Sequence, residues 1–224
     1  MSSSPSPLAD FSTCELSDAL IKLGHLSGGH IPDLHPISTS PTTKRLCGPA
    51  FTVKMVLATN KDAPKLQGHF VDMIESGCVA FVAAPASAQN AVWGGLMTLG
   101  AQSRNCLGTI VHGRIRDTSE HIAASYPLYA LGTSTVGQSP HTRASEVQVP
   151  LVVNSGEGGL PGVEVRPGDI LVADEDGVVC VPREVEGKVE ELARKGRKVD
   201  ERCAEDIRRG VGVQEAFRRH RGKL

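Results

Sequence analysis

The sequence predicts a layered α/β domain with a mixed sheet and C-terminal helices. Three observations carry that prediction. Helix-period and strand-period segments alternate early, whereas short apolar runs crowd together between Leu128 and Val181. From Arg183 onward charged side chains dominate, with Val185, Val189, Leu192 and Ala193 at helical spacing. The chain has 224 residues, 40% hydrophobic and 22% charged, enough for one substantial core and unlike a disordered polymer.

Residues 1–10 open Ser/Pro-rich and are expected to form a disordered terminus. One catalytic α/β domain is expected over 11–182, with 183–224 as its helical extension. Ser12-Thr13-Cys14-Glu15 reads as a capping box. It opens a helix whose apolar face is Leu16, Ala19, Leu20 and Leu23 and which stops at Gly24. Ser27 to Pro41 reads as loop, Ala50 to Val56 as a strand and Gly68 to Gly77 as a short helix. Val79 to Val82 is a short buried strand, Gly94 to Arg104 a helix, and Thr109 to His112 the next strand. Gly113 then permits a sharp bend.

Leu128 to Leu131 reads as a core strand, and the Ser/Thr/Gly-rich stretch Gly132 to Thr142 as loop. Further strands are expected at Leu151–Val153, Gly162–Val165, Ile170–Val172 and Val178–Val181. Val165 to Asp169 carries a turn signal, and Asp176-Gly177 a hairpin signal that outweighs reading Asp174-Glu175-Asp176 as a metal site. The charged helix after Arg183 packs either on its own core or on another subunit, and Phe217 offers an apolar anchor beyond it.

Composition excludes several classes. A formal charge of −1 and 4% aromatic content give neither a basic footprint nor stacking platforms, so no nucleic-acid partner is expected. No apolar run is long enough for a membrane span and no signal peptide is legible, so a cytoplasmic protein without a membrane partner is expected. Six scattered cysteines without a C-x-x-C pair point to reduced thiols rather than a zinc cluster. No Gly-rich loop suggests a nucleotide or S-adenosylmethionine site.

The chemistry concentrates between Trp93, the only tryptophan, and Glu120. Gly94 and Gly95 lack a Cβ and let the backbone approach a ligand, and a helix starting there offers free N–H groups to an anion. Arg116 offers a forked donor for a carboxylate or keto oxygen, and Asp117 a hard oxygen ligand for Mg²⁺ or Mn²⁺. The plainer reading makes these turn glycines and a surface ion pair of little energetic consequence. Glu120, three residues on, shares a helical face with Asp117, or is simply an early-helix acid favoured by the dipole.

The pattern of Gly95, twenty residues, Arg116-Asp117, two residues and Glu120 resembles the signature of the RraA-like family. The resemblance runs from Leu16 to Phe217 and includes Gly48-Pro49-Ala50-Phe51-Thr52-Val53, Val163 to Asp169 and Ala173 to Val179. It implies a swivelling β/β/α architecture in trimers or hexamers. It also implies class II pyruvate aldolase activity on 4-hydroxy-4-methyl-2-oxoglutarate-like acids, with oxaloacetate decarboxylation through the same metal-stabilised enolate. Asp117 would then hold the metal, Glu120 would orient a metal-bound water and Arg116 would bind the substrate, with Gly94, Gly95, Leu96 and Met97 as substrate-binding residues that supply the backbone surface for its carboxylate. Some members regulate ribonucleases instead, which keeps open a role in binding a ribonuclease or other partner, and a diverged lyase or isomerase of a specialised pathway is the further alternative. A Schiff-base lysine is the other way to stabilise an enolate, and Lys54, inside a strand pattern, is its candidate. His112, before the Gly, departs from the family pattern and is read as a structural hydrogen-bonder or a tuner of the proton relay.

Overall fold

The computed structural model describes residues 6–40, 45–153 and 159–221. The strands are β1 (His30–Ile31), β2 (His35–Ser38), β3 (Leu46–Leu57), β4 (Val79–Ala83), β5 (Ala91–Trp93), β6 (Gly108–Ile115), β7 (Leu128–Thr133), β8 (Thr142–Val147), β9 (Leu151–Val153), β10 (Val163–Val165), β11 (Ile170–Asp174) and β12 (Gly177–Val181). The α-helices are α1 (Thr13–Lys22), α2 (Gly95–Ser103), α3 (Thr118–Ala123), α4 (Glu186–Arg208) and α5 (Val213–His220).

Strand β3 organises the sheet. Its first half pairs antiparallel with β11, and its second half lies between parallel β4 and antiparallel β8. The order β1-β12-β11-β3-β4-β6-β7-β2 makes a mixed sheet whose β3-β4-β6-β7 segment is parallel. Successive residues of the parallel strands face opposite layers. Ala80, Val82, Val111 and Ile115 join the layer of α2 and Trp93, while Val79, Phe81 and Ile110 join the layer of β9, β10 and β12. Burial on both faces explains why these strands read as continuous apolar runs.

A third apolar layer joins α1 and α4 to β11 and β12 through Leu16, Leu20, Val172, Val179 and Val189. Ser12 closes a complete capping box with Glu15. Helix α4 therefore packs on its own domain, and Arg197 seals the contact by bonding Glu15 and lying 4.4 Å from the centre of the Phe11 ring. Beyond it, α5 buries Ala216, not Phe217, against Cys203, and Arg221 covers the Phe217 ring.

Several expectations are corrected. Pro7–Asp10, placed in a disordered terminus, forms a 3-10 turn because Leu8 is fully buried in the α1–α4 layer. Only a 3-10 turn, Phe70–Met73, replaces the helix expected over Gly68 to Gly77. The loops expected at Ser27–Pro41 and Gly132–Thr142 contain β1, β2 and the ends of β7 and β8, recruited by neighbouring strands; Pro41 itself lies outside the described residues. The chain makes no sharp turn at Gly113, although the β6–β7 register shifts between Val111 and Arg114. Strand β6 runs on to Ile115, and a Cβ on Gly113 would lie 2.8 Å from that of Ala84. The hairpin at Asp174 exists, with Glu175-Asp176 as its two loop residues and Gly177 already paired. Asp174 accepts hydrogen bonds from Thr13, Arg45 and Asp176, which commits it to structure.

Candidate active site

Two chain connections meet beyond the carboxyl ends of the parallel strands, the usual place for a ligand in such sheets. Strand β5 ends at Trp93, and Gly94 leads in extended backbone (φ −152°) into α2. Strand β6 ends at Ile115, and Asp117 turns the chain into α3 from a left-handed conformation, φ 61° and ψ 41°. That conformation costs an L residue ~1 kcal/mol, and aspartate is among the few that tolerate it. The turn folds Asp117 back over the start of α2, where its Oδ2 accepts the Gly95 amide at 3.1 Å. Arg116 Nε lies 3.5 Å from the same oxygen, and the Arg116 amide donates to the Trp93 carbonyl at 3.0 Å.

Glycine is needed at 94 and 95 for close approach. A Cβ on Gly94 would lie 2.7 Å from Asp117 Oδ2, and one on Gly95 would overlap the Glu120 carboxylate. Gly137 does the same for the guanidinium, since a Cβ there would fall 2.6 Å from Arg116 Nη1. Each of the three charged side chains thus lies against a glycine, which gives the sequence spacing a packing reason.

These residues border a cleft of about 570 Å³, a volume suited to a small organic ligand. Gly94, Leu96, Met97, Arg116, Asp117 and Glu120 line it from one side, and His69, Asp72 and Gln138 extend it. The Gly95 amide, expected to face a ligand, is taken by Asp117, so the protein's own carboxylate sits at the start of α2. His69, Asp72, Gln138 and Gly137 were not legible from spacing. Gln138 Oε1 is the one buried side-chain polar atom among the described residues without a hydrogen-bond partner.

Other candidates fall outside the cleft. Lys54 Nζ pairs with Glu146 at 2.7 Å across β3 and β8. His112 is half-buried on β6, and burial lowers its pKa, with the Asp33 charge pulling the other way. A separate groove of about 410 Å³ between α1, α4 and α5 has its charges paired internally, Glu15 with Arg197 and Asp200 with Arg221. Among the described residues no helix is long and apolar enough to cross a membrane.

The chain resembles Protein DlpA of Legionella pneumophila, 28% identical over 213 residues that cover 93% of this chain and 32% of that one. It is 38% identical over 112 residues to the 4-hydroxy-4-methyl-2-oxoglutarate aldolase of Thermus thermophilus, covering 50% of this chain and 63% of that enzyme. It thus spans less than two thirds of either relative. A crystal structure of a protein from Pseudomonas syringae pv. tomato superposes with a TM-score of 0.76 at 30% identity, covering 93% of this chain and 94% of that one. The family model described as RraA-like, Aldolase/RraA, matches residues 13–180, which hold the whole cleft, and the chain belongs to that family.

Proposed function

We propose that this chain is a divalent-metal-dependent carbon–carbon lyase that releases pyruvate from a 2-oxo acid. The reaction is retro-aldol cleavage of a 4-hydroxy-4-methyl-2-oxoglutarate-like substrate, decarboxylation of oxaloacetate, or both. One observation carries the reading: Arg116, Asp117 and Glu120 converge on a single cleft against Gly94, Gly95 and Gly137.

The donor set fits Mg²⁺ or Mn²⁺. Asp117 and Glu120 offer hard oxygens at one end of the cleft, and no group of three His, Cys, Asp or Glu among the described residues forms a cage. Asp117 would hold the ion, which when bound supplies Lewis-acid charge to the substrate oxygen where negative charge develops. Arg116, whose guanidinium lies against Gly137, binds the carboxylate or keto oxygen through its fork. Glu120 positions water for proton transfer, and Leu96 and Met97 give the cleft an apolar wall. The test is pyruvate release from a panel of 2-oxo acids, with and without excess chelator. Turnover that chelator leaves untouched overturns the metal assignment.

We also infer a homo-oligomer, trimer or hexamer, whose subunits meet beside the cleft. Leu96, Leu99 and Ile122 support this, being 83%, 56% and 58% exposed on neighbouring helices. The same surface favours the second reading, a regulatory protein that binds a ribonuclease or another partner. If no 2-oxo acid is turned over and a partner covers these three residues, the regulatory reading replaces the enzyme.

A further inference from the structure

Beneath the cleft lies a buried chain of hydrogen bonds that runs from Trp93 through Thr98 and His121 to the Arg116 carbonyl. The Trp93 indole N–H can only donate, and Thr98 Oγ1 accepts it at 2.9 Å. Thr98 Oγ1 and His121 Nδ1 lie 2.9 Å apart, and in the neutral ring Nδ1 accepts the Thr98 hydroxyl proton. His121 Nε2 faces the Arg116 carbonyl at 2.7 Å, and a carbonyl can only accept, so Nε2 carries the proton. Each of the three side chains is at most 1% exposed.

The chain ends where the site begins. His121 grips the Arg116 carbonyl, one peptide before the left-handed Asp117, while the Trp93 carbonyl holds the Arg116 amide from the other side. Residues in sparsely populated backbone regions persist where their surroundings over-determine them. Trp93 belongs to β5, Thr98 to α2 and His121 to α3, so the chain locks together the elements that carry Arg116, Asp117, Gly94 and Gly95. A purely apolar plug would fill the same space without fixing the Arg116 peptide plane.

We propose that Thr98 and His121 are positioning residues that hold the Arg116–Asp117 turn so that the Asp117 carboxylate stays on the Gly95 amide, facing the cleft. The structural part stands on the hydrogen bonds alone, and its consequence for metal and substrate rests on the lyase reading.

The test compares Thr98→Val, Thr98→Ser, His121→Gln and His121→Leu in the full chain. It reads Gly95 amide exchange by NMR, Mn²⁺ affinity by electron paramagnetic resonance and steady-state kinetics. Thr98→Val keeps the shape and deletes the hydroxyl. It should speed Gly95 exchange about tenfold, weaken Mn²⁺ about tenfold and lower kcat more than it raises KM, while Thr98→Ser restores all three. His121→Gln keeps a donor for the Arg116 carbonyl and should fall between wild type and His121→Leu. Should Thr98→Val fail to fold, that ordering of the His121 variants decides. Wild-type Gly95 exchange in folded Thr98→Val, or no difference between the two His121 variants, overturns the proposal. Changed Gly95 exchange in a protein that binds no Mn²⁺ and turns over no 2-oxo acid upholds the positioning and overturns the lyase reading instead.

Discussion

The Glu120 carboxylate occupies the space that a Cβ on Gly95 would need. Gly95 begins α2 and Glu120 lies in the first turn of α3, so the glycine is what lets the two helices bring their starts together. An acid there is also favoured by the positive end of α2.

This contact makes Gly95→Ala a test of site geometry. The added methyl must displace Glu120 into the cleft, and a loss of at least tenfold in kcat/KM is expected with the fold kept. Adding Glu120→Ala removes the carboxylate overlap and leaves a tight Cβ contact of 3.2 Å, so the double variant should regain part of the lost thermal stability without regaining activity. Full activity in Gly95→Ala would remove Glu120 from the proposed chemistry. Additive stability losses would show that the two residues do not meet.

Removal of the metal ligand is the second test. Asp117→Ala should lose Mn²⁺ binding and lower turnover by about a thousandfold, in the range seen when one key electrostatic group is deleted. Its far-UV circular dichroism should be unchanged, because among the described residues the Asp117 side chain is tied to the fold by one hydrogen bond, from the Gly95 amide, and a partly exposed ion pair with Arg116. Alanine must still adopt φ 61°, so a melting point a few degrees lower is expected as well. Retained Mn²⁺ affinity would place the ion elsewhere.

A third pair of variants separates the charge of Arg116 from its shape. Arg116→Lys keeps a point charge and loses the fork, so binding of oxalate, an enolate mimic, should weaken at least tenfold. Gly137→Ala leaves the arginine intact and pushes on Nη1, and it should weaken oxalate in the same direction. Wild-type oxalate affinity in both variants would assign Arg116 to a structural pair with Asp117.

Much of this site is legible in the sequence because its parts are short and local. The Gly94-Gly95 start of α2, the Arg116–Asp117 turn and the Glu120 spacing each reside in a few consecutive residues. The parallel strands are legible because burial on both faces makes them uniformly apolar. Gln138 and His69 were missed since only tertiary folding brings them to the cleft, and Gly137 since only folding brings it against Arg116. His121 and Thr98 were missed for a different reason. A buried polar pair on short helices has no periodic signature, and its meaning lies in partners that spacing does not reveal. Strands β5 and β8 were missed because edge pairing, not composition, creates them.

The last prediction concerns acid stability and the seam between α1 and α4. Glu15 closes the α1 capping box and accepts two bonds from Arg197, at 2.6 and 2.7 Å. The Arg197 guanidinium, aided by the Ser12 amide, holds the Glu15 carboxyl below its ordinary value, against the opposing effect of partial burial. A carboxyl depressed in the folded state stabilises the protein above its unfolded value, about 4.3, and loses that contribution as pH falls through the folded value. Glu15→Gln keeps a capping-box acceptor and loses the charge, so it should cost ~0.5–1 kcal/mol at pH 7, the scale of a partly exposed ion pair. The difference from wild type should shrink steadily below pH 4. Urea unfolding of both proteins at pH 7, 5 and 3.5 measures it. A gap independent of pH would show that Glu15 acts through packing and capping alone, without its charge.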